Sequence, residues 1–196
     1  MLTIKVQFDM ARLQRQLQEQ AKQVQFAMAK ALTNTAKDVR QELMDELPKA
    51  FDRPVPFTLR GIGYTPASKT SLTATVFIRE TQAKYLDLQV KGGTEYPKHR
   101  ALLKPAAVPL NQYGNLPRNK VKQLLARKNT FSGRVRGIGG IWQRVGVRNV
   151  KLLVAYVPSQ EVKARLDFYG IGKRVVARRF EPNFEAALAR AIATAR

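Results

Sequence analysis

The sequence predicts an α+β fold, a mainly antiparallel sheet packed by a long N-terminal helix and a C-terminal helix, and three observations carry that expectation. Apolar positions from Met10 to Leu47 recur every three or four residues, the spacing of one helical face. Strand-like runs follow at residues 59–65, 72–78 and 85–90, and again at 141–145 and 150–157, so the sheet is expected from the 59–90 and 141–157 regions. A second helical stripe, Phe184, Leu188, Ile192 and Ala195, ends the chain. The expected organisation is a short strand and long helix over residues 1–47, a proline-rich linker over 48–58 and a basic α+β body over 59–196, within a single domain. With 196 residues and 44% apolar content, the chain can bury roughly 70% of its unfolded surface, enough for a true core.

Residues 3–8 (TIKVQF) alternate, with Ile4, Val6 and Phe8 on one face, and read as a short strand; Asp9 then reads as a helix N-cap. The stripe that follows passes through Leu13, Leu17, Ala21, Val24, Met28, Ala31, Thr35, Val39 and Leu43 and is expected to stop at Pro48. A helix of that length measures roughly 57 Å at 1.5 Å per residue, longer than a compact domain of this size is wide. Two arrangements answer this: a helix laid across a sheet with a kink near Thr33, Asn34 and Thr35, or a helix with one end projecting into a neighbouring subunit. Residues 59–65 and 72–78, joined by the turn-rich hexapeptide 66–71 (PASKTS), predict a hairpin. In its second strand Leu72, Ala74, Val76 and Ile78 share a face. Residues 85–90 read as a third strand ended by Gly92 and Gly93, and 94–116 as a long irregular loop. Asn115 reads as the cap of a short helix through Lys128, the run 131–140 is glycine-rich and basic, and a strand is read at 141–145. After the strand at 150–157, Ser159 reads as the cap of a helical stretch to Phe180 that Gly170 and Gly172 break, with Pro182 starting a separate last helix.

The charge is unusual in sign and not in amount. Charged residues make up 25% of the chain, an ordinary share, yet 35 basic residues face 14 acidic ones, a formal net charge of +21. The expected partner is acidic. The excess is localised: residues 1–50 hold eight bases and six acids, and no acid occurs between Glu95 and Glu161. Within that stretch stand Lys98, Arg100, Lys104, Arg118, Lys120, Lys122, Arg127, Lys128, Arg134, Arg136, Arg144, Arg148 and Lys151, and a second cluster follows at Lys173, Arg174, Arg178 and Arg179. Such a surface attracts phosphate backbones or an acidic protein surface. Tyr96, Tyr113, Phe131 and Trp142 are interleaved with it but lack the spacing of an aromatic stacking platform, so base-specific recognition is not expected.

Enzymatic chemistry finds little to stand on. Without cysteine, disulfides, thiolate catalysis and zinc ribbons are excluded, and a single histidine, His99, provides no imidazole pair for a metal or a serine relay. The acids outside the first helix are scattered, whereas a two-metal nuclease needs them clustered; the best remaining combination is Glu95 with His99. Gly61-Ile-Gly63, Gly137-Ile-Gly-Gly140 and Gly170-Ile-Gly172 lack the pattern of a dinucleotide or Walker loop. Residues 137–140 leave two readings open, a backbone nest for an anion between Arg134, Arg136 and Arg144, or a flexible turn. No apolar run approaches the ~20 residues of a membrane span, and the amino terminus lacks signal-peptide order, so a soluble protein in a reducing or indifferent compartment is expected.

Residues 57–78 (FTLRGIGYTPASKTSLTATVFI), 139–144 (GGIWQR) and 175–196 (VVARRFEPNFEAALARAIATAR) resemble small virion proteins of tailed bacteriophages, nearest to the minor tail protein Z or tail-completion group of the head–tail joining genes. A long N-terminal helix followed by a basic β-rich body is similar to that group as well. The resemblance implies a non-enzymatic structural component of the virion neck or upper tail, assembled in the host bacterial cytoplasm. Its implied working state is a hexameric or dodecameric ring around the DNA channel. The implied partners are further copies of the chain, connector or portal and tail proteins, and packaged double-stranded DNA; no cofactor, metal or membrane is implied. The alternative from another class is a sequence-independent nucleic-acid-binding protein acting through the basic surface.

Overall fold

In chain order the elements are α1 (Met10–Ala50), α2 (Pro56–Leu59), β1 (Ile62–Thr65), β2 (Thr75–Ile78), α3 (Glu80–Lys91), β3 (Gly93–Glu95), β4 (Leu102–Pro105), α4 (Lys120–Leu125), β5 (Thr130–Val135), β6 (Ile138–Val145), β7 (Asn149–Val157), β8 (Gln160–Val162) and α5 (Phe168–Ala193). They come from a computed structural model that describes residues 10–194, with side chains from residue 21 onward. The strand expected at residues 3–8 and the Asp9 cap lie outside the described residues. The chain is α+β, and its strand pairs are antiparallel. The single sheet expected from 59–90 and 141–157 is instead three: β1–β2, β3–β8 and a four-stranded sheet ordered β4-β7-β6-β5.

The elements assort into two compact units. The first takes α1 up to Asp45, Ile62–Arg79 and the segment from Phe168 onward; the second takes Glu46–Gly61 and Glu80–Asp167. In the first, α1 and α5 run antiparallel and meet through small residues. Ala27 and Ala31 pack with Ala187 and Ala191, and Phe180, Phe184 and Leu188 close over them. Further along, the Asp38 carboxylate accepts from Arg179 Nε at 3.1 Å and from Asn183 Nδ2 at 2.9 Å, and Glu42 pairs with Arg178 at 3.3 Å. The hairpin at β1–β2 forms as expected, in the register Ile62↔Ile78 and Tyr64↔Val76. It is tied to α1 by Arg40 Nε donating to the Ile62 carbonyl and by the Ala67 N–H donating to Thr33 Oγ1, both at 3.1 Å.

Three helical expectations are corrected here. α1 runs through Pro48 to Ala50: the proline forgoes the bond to the carbonyl four residues before it, a local loss near the helix end that does not stop the helix. The expected breaks at Gly170 and Gly172 do not occur, and Pro182 lies inside α5 instead of starting a new helix. A glycine or proline in a helix interior is unfavourable by itself, by about 1 and about 3 kcal/mol respectively, but α5 gains long-range packing against α1 that local propensity does not see. Gly172 faces Val39 of α1, where a Cβ would make ordinary contact at 4.0 Å.

In the second unit, residues 85–90 form the end of helix α3 and not a strand. Tyr85 to Val90 satisfies period two, but Gln82 and Leu86, both buried, are spaced for a helix. Gly92 then closes α3 with a left-handed backbone, φ 72°, its N–H donating to the Leu88 carbonyl at 2.8 Å. The long loop at 94–116 is interrupted by β4, and its start is β3, paired to β8. Here the helix expected after Ser159 is contradicted, since residues 160–162 are β8. α4 is shorter than expected, and Asn119 stands at its N-cap position in a left-handed conformation with no side-chain cap bond, in place of Asn115. Residues 131–140 are a regular hairpin: Arg136 and Gly137, φ 51° and 81°, make a two-residue turn between β5 and β6. Leu124 of α4 packs on Ile141, Leu153 and Val154, the core of this unit.

Candidate basic interface

The acid-free stretch belongs wholly to the second unit, in which 20 basic residues face 7 acidic ones. Its bases follow the local geometry of the sheet and its margins. Lys98, Arg100 and His99 are exposed between β3 and β4, and Lys104 is exposed on β4. Exposed Arg118 precedes α4, Lys120 and Lys122 belong to α4, and exposed Arg127 and Lys128 follow it. Arg134, Arg144 and Lys151 stand on β5, β6 and β7, while Arg136 and Arg148 occupy the turns before and after β6. Those two turns are separated by the eight residues of β6, about 26 Å at 3.3 Å per residue. Lys173, Arg174, Arg178 and Arg179 lie on α5 in the first unit. Two of them, Arg178 and Arg179, are paired with Glu42 and Asp38 of α1.

Strand register brings together residues that sequence spacing separated. Phe131 pairs with Trp142, and Trp142 with Leu152, in one cross-strand row. Two positions along, another row holds Gly133, Gly140, Ala155 and Lys104. The Arg144 guanidinium lies over the Phe131 ring, 5.2 Å from its centroid, within the range of a cation–π contact. Between the rows, β6–β7 pairing steps from Ile141↔Val154 to Trp142↔Leu152, so Leu153 is an extra residue on β7. Leu153 and Val154 are both buried, the behaviour of a bulge that turns two successive side chains into the core. Trp142 is only 7% exposed, and its Nε1 has no hydrogen-bond partner among the described residues. It is packed and unavailable as a base-stacking ring, whereas Tyr96 is 71% exposed.

The turn reading holds for Gly137, which lies in the turn between β5 and β6. Gly139, paired with β5, and Gly140, paired with β5 and β7, are ladder residues of β6 and not part of a turn. The Phe131–Trp142 pair was nonetheless legible in principle. Positions 131 and 142 are equidistant from the Arg136–Gly137 turn, and recognising that turn sets the register.

Glu95 is in β3 and His99 in the segment after it, and among the described residues no three of His, Cys, Asp and Glu cluster to hold a metal ion. Asp52 and Arg53, both exposed in the second unit, shift each other's titration. The hydrogen bond from Arg53, and then its charge, hold the Asp52 carboxyl below the usual carboxylate range, and Asp52 raises Arg53 in return. Among the described residues, no helix is long and apolar enough to cross a membrane. No protein-family model, curated protein or solved structure matches the chain.

Proposed function

We propose that this chain is a structural virion protein of a tailed bacteriophage, a non-enzymatic tail-completion or neck component that joins the tail to the head connector as part of a ring around the DNA channel. The observation that carries the reading is the acid-free basic stretch gathered in the second unit, with large apolar side chains left exposed on both units. The first unit is organised by two long helices, and it leaves large apolar side chains such as Val24, Tyr169, Val176 and Ile192 exposed. The second unit is a small sheet-based body holding the acid-free basic stretch. Exposed apolar surface suits assembly with other copies and with connector or tail proteins, and exposed bases suit contact with packaged DNA or an acidic connector. Bases on both end turns of β6 and around α4 suit a subunit contacting anionic surface on more than one side.

The test is to assemble particles without the chain. Filled heads and complete tails that fail to join are the expected products, rescued when the chain is supplied in trans; normal, infectious particles would reject the reading. The acid-free stretch also favours a second reading, a free nucleic-acid-binding protein. That reading requires tight binding to bare duplex with log K falling against log salt by about 0.9 per neutralised phosphate. Assembly with virion components in the absence of such binding favours the first.

A further inference from the structure

We infer that the free edge of β5 takes an extended, acidic segment of a partner protein as an added strand of the four-stranded sheet. The inference deepens the contact with an acidic partner proposed above and rests on that reading of the basic stretch. β5 ends the sheet and, among the described residues, pairs with β6 alone. A strand edge left unpaired is a template for another chain unless it is blunted by shortness, proline or a bulge. The opposite edge is blunted: β4 has four residues and ends on Pro105, whereas β5 has six and no proline.

The phase of the ladder tells which backbone groups are free. The Arg144 N–H donates to the Asn129 carbonyl at 2.8 Å. In the alternation of an antiparallel pair, Phe131, Gly133 and Val135 therefore turn their backbone groups to β6, and Thr130, Ser132 and Arg134 turn theirs outward. The Thr130 N–H is taken up by the Arg127 carbonyl at 3.1 Å. Ser132 and Arg134 are left, both exposed, each offering a donor and an acceptor that have no backbone partner among the described residues.

Charge and hydrogen-bonding chemistry choose the occupant. Exposed Arg127 and Lys128 lead into β5, Arg134 lies within it and Arg136 follows it. None of the four is in an ion pair among the described residues, and the nearest acids along the chain are Glu95 and Glu161. Carboxylates complement that edge, whereas a second copy of β5 would set like charges against one another. Duplex nucleic acid meets only half of it: phosphate oxygens accept from N–H groups but cannot donate to the Ser132 and Arg134 carbonyls, which a peptide backbone does. Side chains alternate across the edge, Ser132 and Arg134 on one face, half-buried Phe131 and Val135 on the other. The fitting segment therefore alternates too, with acids beside Arg134 and apolar residues beside Phe131 and Val135.

The probe is a labelled hexapeptide of alternating glutamate and valine, titrated with the full-length chain and read by fluorescence anisotropy. It should bind at least about tenfold more tightly than the matching lysine and valine peptide. Two N-methylated forms, one blocked at every glutamate amide and one at every valine amide, separate strand pairing from charge attraction. One should lose about tenfold or more and the other stay within about threefold, because only one set of N–H groups faces β5. Ser132→Pro removes an outward N–H while keeping the ladder to β6, and should weaken binding about tenfold with unchanged circular dichroism. Ser132→Ala, which loses only the hydroxyl that meets the Tyr156 hydroxyl at 2.9 Å, should stay within about threefold. Three results would overturn the inference. One is no binding of the glutamate and valine peptide at about 1 mM chain, whether or not duplex DNA binds in its place. Another is equal affinity for the two N-methylated forms, which needs no altered chain and holds even if Ser132→Pro fails to fold. The third is undiminished binding by a folded Ser132→Pro chain. Failure of the peptide leaves virion membership untouched, and absence from virions leaves the peptide result untouched.

Discussion

Gly140 occupies a place in the second unit where no side chain fits. A Cβ there would meet the Val154 carbonyl oxygen and lie 2.7 Å from Leu152 Cδ1, whereas a Cβ on Gly137 would meet nothing within 4 Å. Gly140→Ala is therefore expected to lower stability by about 1–3 kcal/mol, as overpacked sites do. Gly137→Asn should stay within about 0.5 kcal/mol, since asparagine tolerates the left-handed turn position. Urea unfolding followed by the fluorescence of the single tryptophan, Trp142, reads both. Asp52 gives a pH prediction of definite sign. Its folded pKa is depressed by Arg53, so the pairing contributes above the unfolded value and is lost as pH falls through the folded one. The pair is solvent-exposed, so its signature is spectroscopic: the Asp52 carboxyl should titrate in NMR below an ordinary aspartate and return toward it in Arg53→Ala. At this scale the sequence located the bases but not their relations. That Arg178 and Arg179 face acids of α1, more than 130 residues earlier, is set by helix pairing that no local pattern encodes.

At the scale of elements, α1 and α5 depend on close approach between alanines. Ala31 is fully buried beside Ala187 and Ala191, so Ala31→Leu is expected to cost about 1–3 kcal/mol by overpacking, measured as a lower thermal midpoint at 222 nm. Equal or greater stability would contradict that packing. The exposed ion pairs along the same seam should matter far less, about 0–1 kcal/mol each. The α+β class, the long first helix and the β1–β2 hairpin were legible because long periodic patterns and a turn-rich connector speak for themselves. α3 was misread as a strand because six residues satisfy both periods; its decisive partner, Gln82, lies before that window. α5 was divided because glycine and proline carry strong local meanings that long-range packing against α1 overrides. The three-sheet division was not legible, because β3 and β8 are three-residue strands separated by 64 positions of chain between Glu95 and Gln160.

At the scale of the molecule, the net charge of +21 resolves into two groups of bases. Of the 17 bases in the acid-free stretch and the later cluster, 13 belong to the second unit and 4 to α5. Two of those 4 are already held by α1. What sequence could say about the site was therefore composition and sign; what it could not say was that the bases spread around a sheet instead of converging on one groove. A subunit placed between DNA and acidic partners has use for that spread, and a catalytic cleft does not. Mass spectrometry of purified infectious particles tests this proposal most directly. The chain should be present in a fixed, low copy number relative to the major tail protein, as one ring per particle requires. Infectious particles that lack it would contradict the proposed role.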